Sequence, residues 1–83
     1  MQDDLLIDQT IRKVVGIKQS RRVIKDGCAE MAYIADDAED RVRSPLILMC
    51  KENDVPFEIV PSMKELGKAS GIRIGTAVTV ILK

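Results

Sequence analysis

Residues 55–82 read VPFEIVPSMKELGKASGIRIGTAVTVIL and carry the clearest alternation of structural signals in this 83-residue chain. A short apolar run bounded by prolines predicts a strand over 56–60. The Ser-Met-Lys-Glu segment that begins at Ser62 is a capping box, which predicts a helix over 62–70. The run 76–82 is β-branched and mostly apolar, as is typical of a central strand. This strand–helix–strand order indicates an α/β fold.

The chain before residue 55 adds further elements to this pattern. In order, we predict helices over 3–14 and 18–26, a buried strand over 29–35, and a helix that opens at Ser44-Pro45 and runs to about Glu52. Strands that alternate with helices require a parallel or mixed sheet covered on both faces. The predicted fold is a three-layer α-β-α sandwich with a small mixed sheet of about four strands, in a single domain over residues 1–83.

The residue content argues against an enzyme. The sequence has no histidine, which is the commonest general base and metal ligand, and it has no glycine motif that cradles phosphates. Cys28 and Cys50 form no CxxC pair, and we expect two reduced, partly buried thiols. An enzyme that uses one of these cysteines is the weakest alternative. We therefore predict no catalytic residue, no metal and no cofactor.

The same features bear on location and partners. The first residues include acids where a signal peptide has bases, and no apolar run approaches the roughly 20 residues of a membrane span. We expect a cytoplasmic monomer with no membrane partner and no small-molecule substrate.

The charges are segregated although the formal net charge is zero, with 13 basic and 13 acidic residues. Between residues 12 and 25 every charged residue is basic, and between 26 and 40 every one is acidic. Lys18, Arg21, Arg22 and Lys25 follow helical spacing and share one face. A solvated surface is the ordinary interpretation of such a face, but the lack of acids on it favours a polyanion partner. Gln19 beside it is able to read a base edge.

A second candidate segment is the glycine-bounded loop over 67–75. Ile72 and Ile74 flank Arg73 in this loop. Two apolar residues are unusual there, because loops are normally polar. Glycines permit close backbone approach to a partner, and the isoleucines would pack against an unstacked base. The alternative is that both isoleucines turn inward and complete the core. The acidic run after residue 35 matches no calcium-binding loop, so we interpret it as a solvated loop.

Both segments resemble the L7Ae/L30e ribosomal protein family, and its short bacterial members most of all. Residues 16–27, GIKQSRRVIKDG, resemble the family pattern G-x-N-E-x-x-K-x-x-x-x-G, and residues 66–75, LGKASGIRIG, resemble its L-G-x-A-x-G-I-x-V-x loop. The strand-to-helix pattern over 55–62 is also similar. The resemblance implies an α-β-α sandwich that binds kink-turn RNA, a bent helix–internal loop–helix element with tandem sheared G·A pairs.

The resemblance also implies roles for individual residues. The helix from Lys18 would enter the groove at the G·A pairs, and the loop over 72–74 would contact extruded nucleotides. The implied RNA-binding set is Gly16, Ile17, Lys18, Gln19, Arg21, Arg22, Lys25, Lys68, Ile72, Arg73 and Ile74. Lys18-Gln19 replaces the family's Asn-Glu, which removes a carboxylate and adds a cation. We therefore expect kink-turn preference with a stronger salt dependence.

The predicted function is that of a ribosome-associated RNA-binding protein that recognises ribosomal or regulatory RNA. The principal alternative is a protein–protein docking module on the ribosome that has only nonspecific affinity for RNA.

Overall fold

The computed structural model describes residues 11–83 of the chain. The elements follow in the order β1 (Lys13–Val15), α1 (Ile17–Lys25), β2 (Ala29–Ala35), α2 (Asp40–Glu52), β3 (Phe57–Val60), α3 (Met63–Ala69) and β4 (Val78–Leu82). No helix in this part of the chain is long and apolar enough to cross a bilayer. The predicted α/β class and the alternation of elements are confirmed.

The predicted helix over 3–14 is wrong at its end. Most of it lies outside the described residues, but Lys13 and Val14 belong to strand β1. Val14 pairs with Val80 of β4 and packs on the core. The helical pattern therefore does not continue through Lys13 and Val14, because pairing with the distant strand β4 determines their conformation.

Helix α2 begins earlier than predicted, at Asp40 instead of Pro45. Ser44 does not cap this helix; its hydroxyl donates to Asp40 Oδ1 at 3.3 Å. Arg43 also donates to Asp40 Oδ1, at 2.8 Å. These side-chain bonds support the first turn, and Pro45 lies inside the helix.

The sheet has four strands in the order β1-β4-β2-β3. Strand β4 is central, as predicted, and runs antiparallel to both β1 and β2. Strands β2 and β3 are parallel, so the sheet is mixed. The antiparallel pairings place the end of β1 and the end of β2 at the same edge of the sheet as the start of β4.

Helices cover both faces of this sheet, which confirms the three-layer sandwich. Under α1 and α2 lies the larger core, which includes Ile24, Leu46, Cys50, Val78 and Val80. Under α3 lies a smaller core of Ala35, Ala38, Val60 and Leu66. Ser62 caps α3 as predicted, since its hydroxyl accepts the Glu65 amide at 3.1 Å. The fold therefore places α1 and α3 on opposite sides of the sheet.

Candidate nucleic-acid interface

Gly16 sets the direction in which α1 leaves the sheet. Its φ of +106° is strained for any residue with a Cβ, and its amide donates to Val78 O at 3.0 Å. No side chain caps α1, and no acidic residue lies in its first turn. The N-terminus of the helix therefore keeps its partial positive charge for an external anion.

The four cations of α1 are all exposed, as the spacing predicted. The opposite side of the helix is buried through Ser20 and Ile24. We call the exposed set, Lys18, Arg21, Arg22 and Lys25, the α1 stripe. Because its side chains lie in solvent, they are accessible to a partner.

The α1 stripe has no carboxylate partner among residues 11–83. The ion pairs in this range all involve Arg41 or Arg43. Arg43 contacts the carboxylates of Asp36 and Asp40, at 3.7 and 2.8 Å. Arg41 and Arg43, which follow the acidic run, thus partly neutralise its charge. The positive charge of the stripe is not neutralised by any ion pair within the described residues.

A depression lies on α1 and includes part of the stripe. Its volume is about 360 Å³, and it is lined by Lys18, Gln19, Arg22 and Val23. Gln19 and Arg22, both members of the implied RNA-binding set, therefore border one surface feature. An amide and a guanidinium are both planar hydrogen-bonding groups suited to base edges.

The loop between α3 and β4 is seated tightly on α3. The Ile72 amide donates to Gly67 O at 3.0 Å, and the Thr76 amide donates to Met63 O at 3.1 Å. A Cβ added to Gly67 would lie 2.1 Å from the carbonyl oxygen of Ile74. The loop is therefore positioned by backbone contacts that require glycine at residue 67.

The two isoleucines of this loop differ in exposure. Ile74 is 74% exposed, whereas Ile72 is half-buried. The alternative that both complete the core is therefore wrong for Ile74. Arg73 between them is exposed, so the loop presents an apolar and a cationic side chain to solvent.

The start of α1 and the end of this loop meet at the same edge of the sheet. Gly16 bonds to Val78, the first residue of β4, and the loop leads directly into that residue. Lys68 is placed differently, because α3 lies on the opposite face of the sheet from α1. The structure thus brings the start of α1, which carries Lys18, and the loop to a common edge, with Lys68 on the opposite face of the sheet.

The acidic run has a structural role at this edge. Asp37 Oδ1 accepts the Met63 amide at 2.8 Å, and so supports the start of α3. Arg43 donates to the backbone carbonyl of Asp36. Among residues 11–83, no cluster of three or more acidic or cysteine side chains is arranged to hold a metal ion.

The cysteines differ more than predicted. Both are free thiols, but Cys28 is exposed and Cys50 is fully buried. Burial raises the pKa of the Cys50 thiol, which disfavours the reactive thiolate. The expectation of two partly buried thiols is therefore wrong for both cysteines.

This difference gives a testable result. In the native protein a thiol-specific reagent is expected to label Cys28 within minutes, while Cys50 reacts only after denaturation. Mass spectrometry of the labelled Cys28→Ser and Cys50→Ser variants measures both rates. Rapid labelling of native Cys50 would contradict the described packing of α2.

These features define a class of protein: a small α-β-α sandwich with an exposed cationic helix, whose cations form no ion pair within residues 11–83, and a loop that packs on a glycine of α3. The profile of the ribosomal protein L7Ae/L30e/S12e/Gadd45 family matches residues 6–83. The chain belongs to this family.

Relatives agree with this assignment. The chain is 39% identical over 75 residues to an RNA-binding protein of Geobacillus sp. strain WCH70. The aligned region covers 90% of this chain and 92% of that protein. It is also 39% identical over 70 residues to RNA-binding protein YbxF of Geobacillus stearothermophilus, covering 84% and 85% of the two chains. The Giardia lamblia 15.5kD RNA binding protein superposes with a TM-score of 0.79 at 29% identity, over 86% of this chain and 60% of that one.

Proposed function

We propose that this protein binds kink-turn RNA, in which an internal loop with tandem sheared G·A pairs joins two helices at a sharp bend. The chain is a non-enzymatic RNA-binding protein of its family, and the proposal names the RNA. The observation that carries it is that the start of the cationic helix α1 and the loop with the exposed Ile74 both adjoin the first residue of β4.

The site divides into positioning contacts and base contacts. Cations of the α1 stripe and the uncapped start of α1 neutralise phosphates, which supplies affinity but little sequence information. Gln19 and Arg22 offer hydrogen bonds to base edges in the groove of the G·A pairs. Ile74 supplies an exposed apolar surface for an extruded nucleotide.

The energetic consequence of such binding is a shift in RNA conformation. Free RNA of this type samples the bent state sparsely, and a protein that binds only that state increases its population. No chemical step is needed. The proposed RNA target is ribosomal or regulatory RNA in the cytoplasm. The protein would bind it as a single-domain monomer.

A gel-shift comparison tests the proposal. The wild-type protein is expected to bind a kink-turn RNA at least about tenfold more tightly than the same RNA with both G·A pairs replaced by Watson–Crick pairs, since each lost base contact costs about 1–3 kcal/mol. Equal affinity for the two RNAs, with a steep salt dependence, would instead favour the docking module with nonspecific RNA affinity.

A further inference from the structure

The outer side of α3 is a second cationic surface that the α1 stripe does not explain. Lys64 and Lys68 lie one helical turn apart, about 6 Å along the axis, and both are exposed. The inner side of α3 is buried through Leu66 and Gly67, so the two lysines face away from the sheet. Lys64 is not in the RNA-binding set that the resemblance implies, although its spacing of four from Lys68 predicts that both lie on one face of a helix.

This surface adjoins the exposed loop. Lys68 follows Gly67, whose carbonyl accepts the Ile72 amide, and Lys68 O itself accepts the Gly71 amide at 3.1 Å. The exposed Arg73 lies in the same loop. We call Lys64, Lys68 and Arg73 the α3 surface. It continues from the loop on the opposite face of the sheet from α1.

The α3 surface has two acids near its start, Glu65 and the Asp37 carboxylate that accepts the Met63 amide, but its cations are not paired with them. Within residues 11–83, none of its three cations takes part in an ion pair. Glu65 is the one carboxylate on α3, and it lies in the first turn, where the helix dipole already favours a negative charge. Lys68 at the end of α3 and Arg73 in the loop therefore provide the positive charge at this end of the α3 surface.

Resting on the proposed function, we infer that the α3 surface binds the phosphates of the second helical arm of the bent RNA. Helix α1 lies on one face of the sheet and α3 on the other, and the loop connects α3 to the strand that bonds the start of α1. A kink-turn has two arms that diverge from its internal loop. If the loop contacts the extruded nucleotides at the bend, the arm with the G·A pairs lies on α1, and the opposite arm is directed toward α3.

Two RNAs and two double variants test this inference. Lys64→Gln/Lys68→Gln removes two charges while keeping polar side chains of similar length. Lys51→Gln/Lys83→Gln is the matched control, since both lysines are exposed and lie at the ends of α2 and β4 away from the loop. The RNAs are a kink-turn with two full arms and the same kink-turn with the arm beyond the extruded nucleotides shortened.

The measured quantity is the slope of log affinity against log salt concentration. On the two-armed RNA, Lys64→Gln/Lys68→Gln is expected to reduce the magnitude of this slope by about 2, or about 1 for each lost phosphate contact. The control variant keeps the wild-type slope. On the shortened RNA, the wild-type protein and both variants are expected to have the same slope.

The outcomes separate this inference from the proposed function. If the wild-type protein prefers the kink-turn but Lys64→Gln/Lys68→Gln retains the wild-type slope, α3 does not contact the second arm and the proposed function stands. A slope change that persists on the shortened RNA also overturns the inference, because the lysines would then contact another part of the RNA. If the wild-type protein itself shows no preference for the kink-turn RNA, the proposed function is refuted.

Discussion

Gly67→Ala is expected to lower the affinity for kink-turn RNA by about tenfold or more, the equivalent of at least one contact of roughly 1–3 kcal/mol. The added Cβ would lie 2.1 Å from Ile74 O and 3.0 Å from Gly75 Cα. Both are backbone atoms, so rotation of a flexible side chain cannot relieve the overlap. The loop that presents Ile74 must therefore move away from α3.

The change in the free energy of unfolding distinguishes the steric overlap from the higher helix propensity of alanine, because the two effects have opposite signs. Alanine is favoured over glycine inside a helix by about 0.5–1 kcal/mol, and without the overlap the variant would be more stable. Overpacking typically costs about 1–3 kcal/mol, so the free energy of unfolding in urea is expected to fall. Circular dichroism confirms whether the variant remains folded before its RNA affinity is measured.

Gly27→Ala is a control for loss of stability alone. Gly27 has a φ of +75°, and an added Cβ would meet no atom within 4 Å. The substitution strains the backbone by roughly 1–2 kcal/mol at the end of α1 away from the loop. It is expected to lower stability with little change in RNA affinity. Wild-type affinity and raised stability in Gly67→Ala would contradict the seating of the loop on α3.

The second large effect is expected at the depression on α1. Arg22→Ala and Gln19→Ala should each weaken kink-turn binding by about 1–3 kcal/mol, or roughly 5- to 150-fold. Both side chains are exposed and border the same depression, so truncation removes few contacts within the protein. The free energy of unfolding is therefore expected to change by less than about 0.5 kcal/mol.

Arg21→Ala provides the comparison within the same helix. Arg21 belongs to the α1 stripe but does not line the depression. Its loss is expected to weaken binding to the kink-turn and to the G·A-replaced RNA equally, with a smaller salt slope. Arg22→Ala and Gln19→Ala should instead weaken kink-turn binding selectively. Unchanged kink-turn affinity in both variants would refute the assignment of this face.

Several parts of the molecule were predictable because their signals are local. The capping box at Ser62 predicts the start of α3, and the cap bond is present. The spacing of the α1 stripe predicts one exposed face, and the helix exposes it. The apolar run over 29–35 predicts β2 with the observed bounds. In each case residues within one or two turns, or along a single strand, supply the physical cause.

The family resemblance predicted the candidate site as a set of residues, but not its geometry. Residues 16–27 and 66–75 are far apart in sequence, and no local rule brings them together. Their common edge depends on β4, which bonds Gly16 at its first residue. The charge pattern also did not predict that Arg43 pairs with Asp36 and Asp40.

By itself, the sequence determined the α/β class, most of the helices and strands, the cationic face of α1 and the membership in this family. Only the tertiary structure decided that Lys13–Val15 is a strand, that Ile74 is exposed while Ile72 is half-buried, and that Lys68 lies across the sheet from α1. The reason is physical: capping and periodicity act between near neighbours in the chain, whereas strand pairing and burial depend on residues that only folding brings into contact.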